Sequence, residues 1–276
     1  MRAPREHGAL FSAPMVRAVL AEVEPKTQTR RILTRSNSVL DYDGGPLKKW
    51  PGLDFEGRIR SDYPRAFSAD APPMHGPTGV VSLCVFASDL PGYKPGERTV
   101  HRIYPRVRPG DRLWGRETYG YRGTSSHWDS GVRRPFDEVF VEYICDGAKR
   151  TIQRPPDDCP GLPQQRDRRE GESYEDWNDY LDRWWKRSTP AIFMPRWASR
   201  ITLEVTDVRV ERVQSISDAD IRAEGVTVEA VRELLGNNIA DTTPSALWRM
   251  GWCAINGQDS WDRNDWVWAY TFRRVA

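Results

Sequence analysis

The chain has 276 residues, 38% of them hydrophobic and 29% charged, and its 41 Lys and Arg against 39 Asp and Glu leave a formal charge of +2. A chain of this length buries a sizeable core without disulfides, and so even a charge balance excludes a global field that would draw it onto nucleic acid or an anionic membrane; any basic surface must be local. No stretch approaches the roughly 20 apolar residues of a membrane span, because Arg17 and Glu22 interrupt the run from Gly8 to Val23.

The first apolar segment, Ala9 to Ala13, has the length of a strand and runs into Pro14, which suits the first turn of a helix. Met15, Val16, Val19 and Leu20 recur at helical spacing and predict a helix from Pro14 to Glu24 that Pro25 ends. Lys26 to Arg35, KTQTRRILTR, then forms a local basic strip with no acid in it, open to reading as a solvated face or as a ligand-facing one. Residues 35 to 105 are rich in Gly, Pro, Asp and Ser and read as an insertion holding one strand, Val80 to Ala87. Pro109-Gly110-Asp111 signals a turn, after which Leu113 to Thr118 reads as a strand entering the core. Glu138 to Cys145, dense in Val, Phe, Tyr and Ile, is another.

A second insertion covers residues 146 to 190 and contains a helix from Tyr174 to Arg187, capped by Ser173 with Asp176 three residues on. Its stripe of Tyr174, Trp177, Leu181, Trp184 and Trp185 reads as a core face. The most regular strand runs from Arg200 to Val213; its alternation shifts phase near Asp207, which predicts a bulge. Ser217-x-x-Asp220 starts a short helix that Gly225 terminates. Helices at Val228 to Leu235 and Pro244 to Ile255 and a closing strand at Trp266 to Arg273 complete the chain. This order predicts one α+β domain over residues 1 to 276, with a small closed or nearly closed barrel and not a doubly wound sheet.

Cys84, Cys145, Cys159 and Cys253 are scattered without a CxxC pair or a histidine at ligand spacing, so structural zinc is not expected. No signal-peptide core follows the basic start, and the thiols are expected to be free in a reducing cytoplasm. His7, His75, His101 and His127 suggest no triad, and no strand leads into a Gly-rich phosphate loop. Neither a metal nor a cofactor is expected.

Three separated segments together carry a likeness. They are Leu10-Phe11-Ser12-Ala13-Pro14-Met15-Val16-Arg17 with Lys26-Thr27-Gln28-Thr29-Arg30-Arg31; Gly110-Asp111-Arg112-Leu113-Trp114-Gly115-Arg116-Glu117-Thr118; and Met194-Pro195-Arg196-Trp197-Ala198-Ser199-Arg200 with Ala223-Glu224-Gly225 and the closing strand. In this order they resemble the ASCH family of the PUA-like superfamily, most closely the ASCH-like proteins of phages and prophages. The resemblance covers about half of the chain and implies a PUA-like barrel carrying the two insertions. It also implies a cytoplasmic protein, inside a bacterial host cell if phage-encoded, whose partner is RNA, DNA or a nucleoside.

One branch of that family hydrolyses N(4)-acetylcytidine with a catalytic group similar to Lys26, Thr29 and Glu224 here. The resemblance implies that Thr29 attacks the acyl carbonyl, Lys26 serves as base and then acid, and Glu224 orients or relays the proton. Lys26 can act as a base only if burial or neighbouring cations such as Arg30 and Arg31 lower its pKa. Positions 26 and 29 share a face only if the segment after Pro25 is irregular or turn-like. In this sequence Glu22-Val23-Glu24-Pro25 replaces the short Gly-containing turn of related proteins.

The same residues admit plainer roles. Lys26 and Thr29 suit an exposed basic turn with a capping hydroxyl, and Glu224 suits a solvated helix end. Ser12 is an N-cap or a contributor to an anion site at a helix start. Arg30 and Arg31 in the basic strip, Trp114, Arg116 and Glu117 on one strand, and Arg196 and Trp197 at the start of another, are either substrate-binding or packing and ion-pair residues. Three functions follow: recognition of a nucleotide or modified nucleobase with amide hydrolysis of an acylated cytidine, a non-catalytic module for single-stranded or flipped bases, and a ribonuclease, which no His pair or acidic cluster supports.

Overall fold

In the computed structural model, residues 3–34, 38–42, 67–70, 81–86, 100–125, 128–129, 132–133, 138–153, 169–185, 187–236, 239 and 242–275 are described. The strands are β1 (Glu6–Leu10), β2 (Gln28–Ile32), β3 (Ser38–Tyr42), β4 (Phe67–Asp70), β5 (Val81–Phe86), β6 (Val100–Pro105), β7 (Arg112–Arg116), β8 (Tyr119–Ser125), β9 (Trp128–Asp129), β10 (Val132–Arg133), β11 (Glu138–Tyr143), β12 (Lys149–Gln153), β13 (Thr202–Arg212) and β14 (Trp266–Arg274). The helices are α1 (Ala13–Leu20), α2 (Tyr174–Trp185), α3 (Asp218–Ala223), α4 (Val228–Leu235), α5 (Pro244–Asn256) and α6 (Gln258–Asp262).

Helix and strand are mixed. The largest sheet has five strands in the order β1-β7-β13-β14-β2, and smaller sheets follow the orders β12-β11-β8 and β3-β6-β5-β4. Closure into a barrel would need β1 and β2 to share a hydrogen-bond ladder; among the described residues these strands are the two edges of an open sheet. The segment expected as an insertion with one strand contributes four, β3 to β6. Within it Ile103 and Tyr104 of β6 are buried, a pair that the polar and Pro-rich surroundings conceal in the sequence.

The chain divides into two compact units, one of residues Met1–His7, Ala21–Arg112 and Leu203–Val275, the other of Gly8–Leu20, Leu113–Thr202 and Ala276. In the first, β2, β14 and β13 are antiparallel neighbours, and the β13–β14 register shifts between Val205 and Asp207, where the alternation of β13 breaks. One face of these strands meets the helices: Val213, Ile221, Trp248, Trp252 and Val267 form a buried cluster. The caps fix the helix starts. Ser217, Thr227 and Thr243 each accept a hydrogen bond from the amide three residues on, at Asp220, Ala230 and Ala246. Gly225 and Gly236 take left-handed φ values of 68° and 67° where α3 and α4 end.

In the second unit β8, β11 and β12 form a meander whose inward side chains Tyr119, Tyr121, Val139, Val141 and Tyr143 pack with Met194 and Ala198. Helix α1 ends at Leu20, short of the expected Glu24, which has a left-handed φ of 47° that no helix continues. Ser173 caps α2 through the Asp176 amide at 3.0 Å. The aromatic stripe of α2 is not a uniform core face: Tyr174 is exposed, and Trp177 stacks on Tyr180 of its own helix at 5.2 Å. The side chains of Leu181, Trp184 and Trp185 lie outside the described set.

Candidate functional site

The segment after Pro25 is docked by its backbone. The Thr27 amide donates to the Ala223 carbonyl, and the Thr27 carbonyl accepts from the Phe272 amide, each at 2.8 Å. One partner lies at the end of α3 and the other on β14, so Lys26 is brought against the residue that follows Ala223. The Lys26 ammonium donates to the Glu224 carboxylate at 2.7 Å and to the Glu224 main-chain oxygen at 2.6 Å. The second bond caps a carbonyl that α3 itself leaves unpaired.

Both residues are withdrawn from solvent, Lys26 at 2% and Glu224 at 5% exposure. Burial pulls the Lys26 pKa below its ordinary value; the charge and hydrogen bond of Glu224 work against that shift, and the Arg31 and Arg30 charges add to it.

Arg30, also buried, completes the cluster. Its guanidinium donates to Glu224 Oε1 at 3.2 Å, to Glu211 Oε2 at 2.9 Å and to Asp220 Oδ2 at 3.2 Å, and lies 6.0 Å from the Trp248 ring centroid. Asp220 accepts as well from Gln28 at 2.8 Å and Arg209 at 3.1 Å. Burial pushes the Asp220 carboxyl up, but these hydrogen bonds and the Arg209 and Arg30 charges hold it below the usual range. The basic strip is therefore no solvated face at Lys26 or Arg30.

Thr29 is buried in β2, opposite Tyr270 of β14, while Arg30 faces Ala269 and Arg31 faces Trp268. Alternation along β2 puts Thr29 and the half-buried Arg31 on one face of the sheet and Gln28 and Arg30 on the other. Pro25 to Thr27 are irregular and the strand begins at Gln28, so Lys26 precedes the strand and Thr29 belongs to it.

The remaining expected residues lie in the second unit, which is a separate matter from the Lys26 cluster. Ser12 does not cap α1 through its side chain: its carbonyl accepts from the Val16 amide, and its hydroxyl is buried without a hydrogen-bond partner. Arg116 lies 4.5 Å over the Trp114 ring and donates to the Ile192 carbonyl at 3.3 Å. Glu117 is buried and bound by two hydrogen bonds from Arg200, at 2.9 and 2.8 Å, with a third from the Cys145 thiol at 3.2 Å. Arg196 donates to the Thr202 hydroxyl at 3.1 Å, and Trp197 stacks on Tyr121 at 6.3 Å.

Among the described residues no group of His, Cys, Asp and Glu could hold a metal ion, and no helix is long and apolar enough to cross a membrane. No protein-family model, curated protein or solved structure matches the chain.

Proposed function

We propose that the chain is a cytoplasmic ASCH-type protein whose five-stranded sheet is the frame of a PUA-like fold and which recognises a nucleotide or modified nucleobase of RNA or DNA at Lys26, Thr29 and Glu224. The chemistry proposed for this group is amide hydrolysis of an N(4)-acylated cytidine. The observation that carries the reading is the buried Lys26–Glu224 pair three residues from a buried Thr29.

Burial of a lysine is costly, and it lowers the Lys26 pKa, which favours the neutral amine that a general base requires. In the proposed reaction the neutral Lys26 amine takes the Thr29 hydroxyl proton as the oxygen attacks the acyl carbon. Lys26 then returns the proton to the departing exocyclic nitrogen, which leaves cytidine and an acyl ester on Thr29. Water, deprotonated by the same amine, cleaves the ester, releases the carboxylic acid and restores the hydroxyl. Glu224 holds the Lys26 nitrogen in place through both steps.

One observation favours a non-catalytic module instead: Lys26 donates to two Glu224 oxygens, an arrangement that suits the protonated ammonium. Chromatography of N(4)-acetylcytidine and a panel of acylated nucleosides after incubation with the protein separates the two readings. Cytidine and acid released by the wild type and not by Thr29→Val support hydrolysis; tight binding with no product supports the module.

A further inference from the structure

Trp268 and Tyr270 stand two residues apart on one face of β14, and both are buried. The Trp268 indole N–H donates to the Ser38 hydroxyl at 2.9 Å. The Tyr270 hydroxyl, on a residue only 3% exposed, has no hydrogen-bond partner. A phenol taken out of water in this way forfeits the hydrogen bonds it made in the unfolded chain, a loss that folded proteins nearly always avoid.

Its surroundings give the orphan a use. Tyr270 is the direct cross-strand partner of Thr29, and opposed Cβ atoms in an antiparallel pair lie about 4.5–5.5 Å apart on the same face. The Arg31 charge acts on Tyr270 and also on Lys26 and Glu224. Tyr270 therefore stands across from the buried threonine on the face that Arg30 does not occupy, with Arg31 acting on it and on the ion pair alike. Burial pushes the phenol pKa up, with Arg31 opposing, so at neutral pH the group is a hydrogen-bond donor and not an anion.

We propose that the Tyr270 hydroxyl is a ligand-binding group that donates to a carbonyl oxygen of the nucleobase or of its acyl substituent, beside Thr29. This rests on the reading of Lys26, Thr29 and Glu224 as a nucleoside site and adds to it the donor that selects a carbonyl-bearing ligand.

Tyr270→Phe removes one oxygen and keeps the ring. Wild type and variant are titrated calorimetrically with cytidine and with N(4)-acetylcytidine, and each is melted without ligand. The variant is expected to melt no lower than the wild type, since no internal hydrogen bond is lost, and to bind about tenfold more weakly, the size of effect that one hydrogen bond carries. Equal binding, or a lower melting temperature, would mean that the hydroxyl is idle or is satisfied inside the fold; either overturns the proposal and leaves the nucleoside site standing. A wild type that binds neither nucleoside brings down the site reading and this proposal together.

Discussion

Lys26 and Glu224, 198 positions apart in the chain, form a buried ion pair with nitrogen and oxygen 2.7 Å apart. Arg30 joins it from the other carboxylate oxygen and pairs also with Glu211 and Asp220, so among the described residues Arg30 has three acids and Lys26 only Glu224. That imbalance, more than any single bond, decides how the cluster responds to mutation.

Glu224→Gln strips Lys26 of its acid while Arg30 keeps Glu211 and Asp220, whereas Lys26→Met leaves Glu224 still paired with Arg30. The first is expected to lose about 3–5 kcal/mol, the range for breaking a buried pair. The second is expected to lose about 1 kcal/mol or less, because an apolar side chain of similar volume replaces a buried charge. Urea midpoints at constant m-value measure both. Equal losses would show that Arg30 does not share the carboxylate.

The lowered Lys26 pKa predicts a pH signature. The unfolded chain holds the Lys26 proton up to the ordinary value of 10.5, and the folded chain releases it earlier. Between those two pKa values the unfolded state binds more protons, so the Lys26 contribution to stability rises with pH and is lost as pH falls through the folded value. Tyr270, Tyr119 and Tyr143 are shifted upward and oppose this at alkaline pH, but they are common to wild type and Lys26→Met. The stability difference between the two proteins is expected to shift in favour of the wild type as pH rises toward 10.5; a flat or falling difference contradicts the lowered pKa.

Ser217→Ala removes the α3 cap, for an expected loss of about 1 kcal/mol. Because Glu224 ends that helix, the same substitution should weaken nucleoside binding in the calorimeter. Unchanged binding would show that Glu224 is held by Lys26 and Arg30 alone.

In the second unit, burial and then the neighbouring Glu117 push the Cys145 thiol up to about 12, and the thiolate is the reactive form. Native protein treated with iodoacetamide at pH 8 should retain an unmodified Cys145 in peptide mass spectra, while Glu117→Gln, which removes the anionic acceptor, should speed alkylation. Rapid labelling of the native thiol would contradict the assignment.

The parts of the fold legible in the sequence are those with local chemistry. The cap at Ser217, the helix start at Pro244, the glycine after α3, and the phase break in β13 each act within a few residues and fall where the sequence predicts. Strands β3, β6, β8 and β12 were not legible, because their pairing partners are distant or their faces polar, as the largely exposed β12 illustrates. The expected closed barrel depended on which edges meet, and no local signal encodes that. At the site, Lys26, Thr29 and Glu224 came from the family resemblance and not from spacing. Arg30 was expected to bind substrate, but the acids that hold it, Glu211 and Asp220, carry no motif that joins them to it. Tyr270 reads in the sequence as one more aromatic of a buried strand; its missing partner together with its place opposite Thr29 distinguishes it.

The most direct test of the central claim is a crystal structure of the Thr29→Val protein soaked with N(4)-acetylcytidine, which lacks the proposed nucleophile and should trap the substrate. The base is expected beside residue 29, with its acyl group facing position 29 and within hydrogen-bond reach of Lys26. Density for the nucleoside in the second unit, or none at a concentration that saturates binding in solution, would contradict it.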